Sequence, residues 1–517
     1  MTRAELLISN VIDRAIAVLS PRRALVRQLY RDRLSISRRA ELYAAAKTTR
    51  LTGAWTTANP NVNDIIGASS PYLRARVRQL IRDFPYLARA ANVIVDYSIG
   101  TGIVFQSKVK GDDRKPDRKL ATKIEDVVNR WMDEADAAGK LHYYELMRLA
   151  KRQDLEAGEF LIVKNYPKSG NRYIPFELQI YEADWLSGTH DNYGSGGIGV
   201  SAPPGEKETR QGVEYEKATG RVTGYWFRDP NYGGQEVYIP ADRVIHGFDT
   251  LRPQQLRGVS PFAPGLLIAH DLNDYMDAEI DGAKMAAKYL ALIETPDPMG
   301  RQGLLATDGT STSGTAQKIE ELENAIIEYM RPGEKVTFAE HNRPGQTFAP
   351  FVRLLLTMLS ITTGAPYELI SGDYQGLNFS TARIVRNDFS QQLRPIAIRH
   401  VRQYGLPTIR TAIEMAVLSG RLDLPKYWQN QRRYDESEWQ PPGMDAVDPL
   451  REAKSQIEAI TGLLKSPQEV ARERGRDLED VLDEIEAAKE MAKERGLVFG
   501  QAKTSEKNNP AAIAKEE

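Results

Sequence analysis

The stretch that most limits what this chain can fold into is residues 252–292, RPQQLRGVSPFAPGLLIAHDLNDYMDAEIDGAKMAAKYLAL. An arginine-containing loop runs there into one long helical pattern. Leu272, Met276, Ile280, Ala283, Ala287 and Leu290 recur at helical spacing and make one apolar stripe. Turned at 100° per residue, Asp271, Asp274, Asp277 and Asp281 fall within an arc of about 120° on another face, which Lys284 and Lys288 extend. A helix of roughly 28 residues is about 42 Å long. It must pack along most of its length while its aspartates meet water, which suits the wall of an aqueous channel. A solvated helix surface with no role, Asp281 pairing with Lys284 at i,i+3, fits the same pattern.

The remainder of the chain narrows the class. At 517 residues a single compact core is not expected, and several domains are. The formal net charge is −1, so no whole-molecule field recruits DNA or an acidic membrane. The distribution is uneven: residues 1–50 carry eleven Lys/Arg against four Asp/Glu, while the C-terminal helices are acidic. With no cysteine, disulfides and thiolate metal sites are excluded. No run approaches the ~20 apolar residues of a membrane span. Asp13 and Arg14 interrupt the N-terminal apolar stretch, so a secretory signal is not expected and synthesis in the cytoplasm is.

Along the chain, residues 1–60 read as a basic arm, with 51–70 a Gly/Asn/Pro/Ser-rich linker. Ser70 is an N-cap candidate with Pro71 in the first turn of the next helix, and further helices are predicted over about 116–137 and 141–155. Residues 159–250 change to short runs rich in β-branched and aromatic residues (FLIVKNY, FELQIY, VEYE, RVTGYWFR, EVYIP), with a hairpin around Thr219–Gly220. After the long helix come a Gly/Ser/Thr loop at 309–314, a charged helix, the strand EKVTFAE and a helix over about 349–363. A polar loop follows, SGDYQGLNFSTAR, with another long helix beginning near Ser380. Ser466-Pro467-Gln468-Glu469 marks a helix start near the C-terminus.

Familiar catalytic patterns are missing. No G-x-x-x-x-G-K-[ST] is present, and two residues before Ser195, where a nucleophile elbow needs glycine, stands Tyr193. His142, His190, His246, His270, His341 and His400 are scattered, with no pair at metal-ligand spacing, and a lone histidine such as His246 is read as structural. No enzyme activity and no cofactor are expected. A metal-dependent nuclease using Asp271–Asp281 is the catalytic alternative; a head–tail connector or adaptor ring is the structural one.

Taken together, four segments resemble the lambda-like family of phage portal proteins. RVIHGFDTLRPQQLRGVSPFAP matches its V-x-H-x-F-x-x-x-R-P-x-Q-x-R-G-x-S signature through Val244, His246, Phe248, Arg252, Pro253, Gln255, Arg257, Gly258 and Ser260. Gln254 stands where the family usually has glycine. LNDYMDAEIDGAKMAA resembles the family's following helix. TTGAPYELISGDYQGLNFSTAR resembles its G-x-x-Y-E…N-Y-S-S-A-R segment, with Phe379 and Thr381 as mild substitutions. WQPPGMDAVDPLREAK resembles its C-terminal W-x-x-P-G-x-x-x-V-D-P segment.

The resemblance implies an α+β, multidomain portal fold of wing, stem, clip and crown with long amphipathic stem helices, assembling into a ring of typically twelve subunits. On this chain it implies an arm (1–60), wing (61–262), first stem helix (263–292), clip (293–345) and second stem helix (346–370). A tunnel loop (371–383), a wing return helix and linker (384–444), crown helices (445–496) and a disordered tail (497–517) would follow. The channel-lining candidates are Asp271, Asp274, Asp277, Asp281, Lys284 and Lys288. The tunnel-loop candidates are Asp373, Tyr374, Gln375, Gly376, Leu377, Asn378, Phe379 and Ser380, with Gln375 and Leu377 at the tip. Arg383 follows as a phosphate contact or a partner of Asp373 or Glu368. Leu272, Met276, Ile280 and Ala283 would pack the oligomer. The implied partners are other copies of the chain, double-stranded DNA in the channel, the terminase large subunit, the head–tail adaptor, the major capsid protein and scaffold, with no membrane. The implied place is the portal vertex of the virion.

Overall fold

The computed structural model describes residues 50, 54, 56, 58–111, 116–168, 172–194, 198–199, 202–203, 205–231, 233–288, 292–294, 335–337, 345–443, 449–474, 476 and 478–495. The chain divides into two units, residues 1–60 and 61–517, and the account below concerns the second. The basic arm, most of the segment read as a clip and the C-terminal tail lie outside the described residues. Among the described residues no helix is long and apolar enough to cross a membrane.

The second unit opens with α1 (Val62–Asp83) and α2 (Pro85–Ser98). The expected linker therefore ends early. Asn61 caps α1, its side chain accepting from the Asn63 N–H at 2.9 Å, and Val62 and Ile66 are buried. Ser70 is no cap: it lies inside the helix and its Oγ accepts from Arg74 Nη1 at 2.7 Å. Burial of Val62, Asn63 and Ile66 has overridden a loop-like composition. Pro85 then restarts the chain at the first turn of α2, where its missing N–H costs nothing.

Strand β1 (Val104–Ser107) precedes α3 (Arg118–Met132) and α4 (Tyr143–Glu156). The β-rich region follows as expected: β2 (Glu159–Asn165), β3 (Glu177–Tyr181), β4 (Lys207–Arg210), β5 (Val213–Glu216), β6 (Val222–Asp229), β7 (Gly233–Pro240) and β8 (Val244–Phe248). They form two antiparallel sheets, one ordered β3-β2-β8 and one a β4-β5-β6-β7 meander. Leu161, Val163, Val213, Tyr225 and Phe227 fill one cluster that draws on both sheets.

The long helix is α5 (Leu266–Lys288). Strands β9 (Leu292–Glu294) and β10 (Lys335–Thr337) pair antiparallel, and α6 (Phe348–Thr363) and α7 (Tyr367–Ser371) come next. Helix α8 (Phe379–His400) continues through a π turn at Val401–Gly405 into α9 (Leu406–Leu418). After the one-turn α10 (Gln431–Tyr434), β11 (Ser437–Gln440) returns to pair with β1 across more than 300 residues of sequence. Helices α11 (Pro449–Thr461), α12 (Pro467–Glu473) and α13 (Leu478–Glu494) end the described chain; Ser466 caps α12 as expected, accepting from the Glu469 N–H at 3.1 Å.

Two larger cores hold these elements. Trp131, Tyr143, Phe160 and Tyr404 anchor one, which ties α3 and α4 to the first sheet and α9. Val77, Leu87, Phe262, Leu272, Leu359 and Phe389 belong to the other, which joins α1 and α2 to the base of α5 and to α6 and α8.

Candidate functional site

The loop between β8 and α5 is built around one buried carboxylate, Glu159, the first residue of β2. It is fully buried, and strand pairing sets it beside β8. Arg257 Nε lies 2.9 Å from both of its oxygens and Arg257 Nη2 lies 2.5 Å from Oε1. His246 Nε2 and the Gly258 N–H reach Oε2 at 3.0 and 2.9 Å. Burial alone would raise the Glu159 pKa; the Arg257 charge and the bonds from His246 and Arg257 outweigh it and hold the carboxyl well below the usual carboxylate range.

The hub reaches further. Arg257 also donates to the Gln211 and Ala183 carbonyls at 2.7 and 2.9 Å. Arg74 of α1 lies 3.9 Å from Glu159 and binds Asp184 at 2.9 Å, which Arg78 grips from its other oxygen at 2.7 Å. Asn63, also of α1, donates to the Gln254 carbonyl and accepts from the Leu256 N–H, both at 2.9 Å. Gln255 folds back on its own loop, accepting from the Leu251 N–H at 2.9 Å and donating to the Arg257 carbonyl at 2.8 Å. Ser260 Oγ donates to the Leu155 carbonyl at 2.6 Å.

The signature residues thus divide by place. Gln255, Arg257, Gly258 and Ser260 are buried, as is the His246 side chain, and they lock the loop to α1, α4 and the first sheet, whereas Arg252 and Pro253 are exposed. Gln254 adopts φ +66°, a left-handed conformation. An L side chain there is strained by about 1–2 kcal/mol, so the position favours glycine. Glu159, Arg74, Asp184 and Asn63 were not singled out from sequence. The available signal was Glu159 heading the apolar run FLIV, because a buried acid demands a cation.

On α5, Asp271, Asp274, Asp277 and Asp281 are all exposed on the single subunit. Asp281 pairs with Lys284 at 3.0 Å, and Asp274 lies 3.3 Å from His270. The side chain of Lys288 lies outside the description. The apolar stripe splits along its length. Leu272 is fully buried inside its own chain, Met276 and Ala283 are half-buried, and Ile280 is 49 % exposed. Leu272 therefore faces its own subunit's core beside Leu356 and Leu359 of α6, leaving Ile280 to face outward.

Helix α6 carries a second stripe that sequence reading passed over. Phe351, Leu354, Met358 and Ile361 follow 3-4-3 spacing and are 43, 55, 40 and 77 % exposed. Leu356, Leu359 and Thr363 are buried on its other side. Arg353 is the only charged residue in α6, and a helix apolar all round is normally covered all round. That single charge in sixteen residues was the missed signal.

The loop between α7 and α8 turns through two left-handed glycines, Gly372 at φ +71° and Gly376 at φ +77°. Asp373 is held by the Tyr367 hydroxyl at 3.1 Å and the Gln375 N–H at 3.0 Å. Arg383 has no ion pair with it or with Glu368 among the described residues. Asn378 caps α8, accepting from the Thr381 N–H at 2.8 Å, so Phe379 and Ser380 already belong to the helix. Tyr374 and Gln375 are exposed, while Leu377 turns inward over a cavity of about 400 Å³ shared with Tyr97, Tyr374, Val385 and Phe389. The tip is thus Tyr374–Gln375–Gly376 and does not include Leu377.

The chain as a whole is similar to several known proteins. A profile of the family described as phage portal protein, lambda family, matches residues 48–396. A probable portal protein of Halomonas phage phiHAP-1 is 26 % identical over 499 residues, covering 92 % of this chain and 91 % of that one. Portal protein B of Escherichia phage lambda is 20 % identical over 444 residues, covering 79 % and 81 %. Among solved structures, a chain from the neck of an empty GTA particle computed with C6 symmetry is 17 % identical, with a TM-score of 0.42 over 78 % of this chain and 93 % of that one.

Proposed function

This chain belongs to the lambda family of phage portal proteins, and from that premise we propose that its copies, typically twelve, close into a ring at one capsid vertex. The ring is the channel for DNA packaging and ejection and docks the terminase and then the head–tail adaptor. The family is structural, and no step of bond chemistry is assigned to it. The observation that carries the reading is the division of faces on α5 and α6. One subunit offers water an acidic arc and, separately, exposed apolar residues that a monomer would leave wet. A ring subunit needs both, one surface for the lumen and one for its neighbour, and ring closure uses heterologous contacts. Mass photometry and a cryo-EM class average of the purified protein test it; a monomer, or an oligomer without a channel wide enough for duplex DNA, would sink it.

Duplex DNA must slide past the stem, and phosphate neutralisation dominates DNA affinity, so acidic walls keep it from sticking. Asp271, Asp274, Asp277 and Asp281 are accordingly assigned to the lumen. Because the chain has no cysteine, Asp274→Cys creates its sole thiol. Maleimide-gold on rings of this variant should appear inside the channel in class averages; label on the outer circumference would remove the assignment.

The exposed apolar residues are assigned to the subunit seam. Ile280→Asp should leave a folded subunit, since the residue is half exposed, but no rings by mass photometry. Rings at wild-type yield would move the seam elsewhere. A nuclease built on the four aspartates is poorly supported by their placement. Spread over eleven residues of one helix, they span about 15 Å, whereas paired metals sit roughly 4 Å apart and need converging ligands.

A further inference from the structure

Charge is segregated between α5 and α8 with the turn that continues it. Residues 266–288 hold five acids and two lysines; residues 379–405 hold five arginines, no lysine and one acid, Asp388. Those arginines are not equivalent. Arg399 is neutralised by Asp154 at 2.9 Å and Asp249 at 3.0 Å, and Arg386 lines the cavity under the loop. Arg383, Arg394 and Arg402 are exposed and have no ion pair among the described residues.

At 100° per residue, Arg383 and Arg394 share one side of α8 with Asn387, Ser390 and Gln391, and no acid interrupts it. The two arginines are about 16 Å apart along the helix, a rise over which one DNA strand presents about five phosphates. Near its far end the helix bears a cleft of about 490 Å³ where Arg394, Arg402, Gln391 and Gln403 stand beside Pro395, Ile398 and the already neutralised Arg399. Guanidinium forks and amide N–H groups in a row along one helix face suit an extended polyphosphate, and arginine binds phosphate bidentately where lysine acts as a point charge.

We infer that this face of α8 is a phosphate-contact track for double-stranded DNA, a basic collar next to the loop, in contrast to the acidic stem. The inference rests on the channel reading. It gives the channel two regimes: a stem that does not hold DNA, and a collar whose grip depends on salt. Repetition around a ring would make the contact strong although each subunit contributes only a few charges.

The test measures binding of a fluorescent DNA duplex to the purified protein by anisotropy across a salt series. The variant is Arg383→Gln/Arg394→Gln/Arg402→Gln. A control removes the same charge from exposed sites elsewhere, Arg76→Gln/Arg221→Gln/Arg432→Gln. The collar variant should lose about tenfold or more in affinity, with a salt slope shallower by about 0.9 for each phosphate contact removed, and the control should lose far less. Equal losses in both variants, no change in the collar variant, or no duplex binding by the wild type would overturn the inference. So would collapse of the variant's rings, which would mean that the arginines seat a second copy. Mass photometry of the wild type reads the ring separately. If no ring forms, the channel reading falls while the anisotropy series still decides the arginine track.

Discussion

Replacing Arg257 with methionine is expected to destabilise the protein by about 3–5 kcal/mol, a large part of the 5–15 kcal/mol by which folded domains typically exceed their unfolded chains. The loss is large because the change strands its partner. Glu159 is fully buried, and Arg257 supplies its closest contact, at 2.5 Å. Without the guanidinium, the carboxylate keeps, among the described residues, His246 and the Gly258 N–H within hydrogen-bond reach, with Arg74 at 3.9 Å. The Gln211 and Ala183 carbonyls lose a donor as well. The double variant Glu159→Gln/Arg257→Met should be less damaged than Arg257→Met alone, since it removes the orphaned charge. Urea midpoints followed by tryptophan fluorescence measure both. A midpoint for Arg257→Met within error of wild type would show that the hub holds nothing together.

The same hub fixes the sign of a pH dependence. The folded-state pKa of Glu159 is depressed, so the unfolded chain binds its proton first as pH falls. The contribution is fully present above the unfolded carboxyl pKa of about 4.3. It is lost as pH drops below that value toward the folded pKa. Arg257→Met should flatten this part of the acid limb, because it removes the charge that depresses the pKa.

Much of this architecture is legible in the sequence because it is periodic. The helical spacing through Leu272, Met276 and Ile280, the β-rich runs from Phe160 to Pro240, and the Ser466–Glu469 start all correspond to elements of the structure. What was not legible depends on contacts distant in sequence. Strand β1 is four residues whose partner, β11, lies at Ser437–Gln440. Residues 62–70 look like linker until Asn63 is seen enclosed by the 254–256 loop. The candidate site divides in the same way. The signature loop named Arg257 and Gly258, but Glu159, the group they serve, lies 98 residues away. The aspartate arc is a property of one helix and could be read directly. The residues proposed for the seam depend on which face of α6 the rest of the subunit covers, and only the packing reveals that Phe351, Leu354, Met358 and Ile361 are left exposed.

Gly158→Ala should be nearly as damaging as loss of Arg257, for a backbone reason. Gly158 joins α4 to β2 at φ +84°, and an added Cβ would run into the backbone of Val259 and Ser260. Gly258 in turn faces the carbonyl of Gly158. The two glycines let one strand of chain cross directly over the other. That crossing places the Gly258 N–H on Glu159 and the Ser260 hydroxyl on the Leu155 carbonyl. Backbone cannot swing aside as a side chain can, so the overpacking cost of about 1–3 kcal/mol adds to about 1–2 kcal/mol for a left-handed alanine. Gly139 separates the two terms. It has φ +65° but nothing within 4 Å of an added Cβ, so Gly139→Ala should lose only the conformational part. Urea midpoints of the two variants should differ by at least the overpacking cost, and ring yield should fall only for Gly158→Ala, because only that crossing sets how α5 leaves the sheet. Equal losses at both positions would mean that the close approach at Gly158 carries no energetic weight.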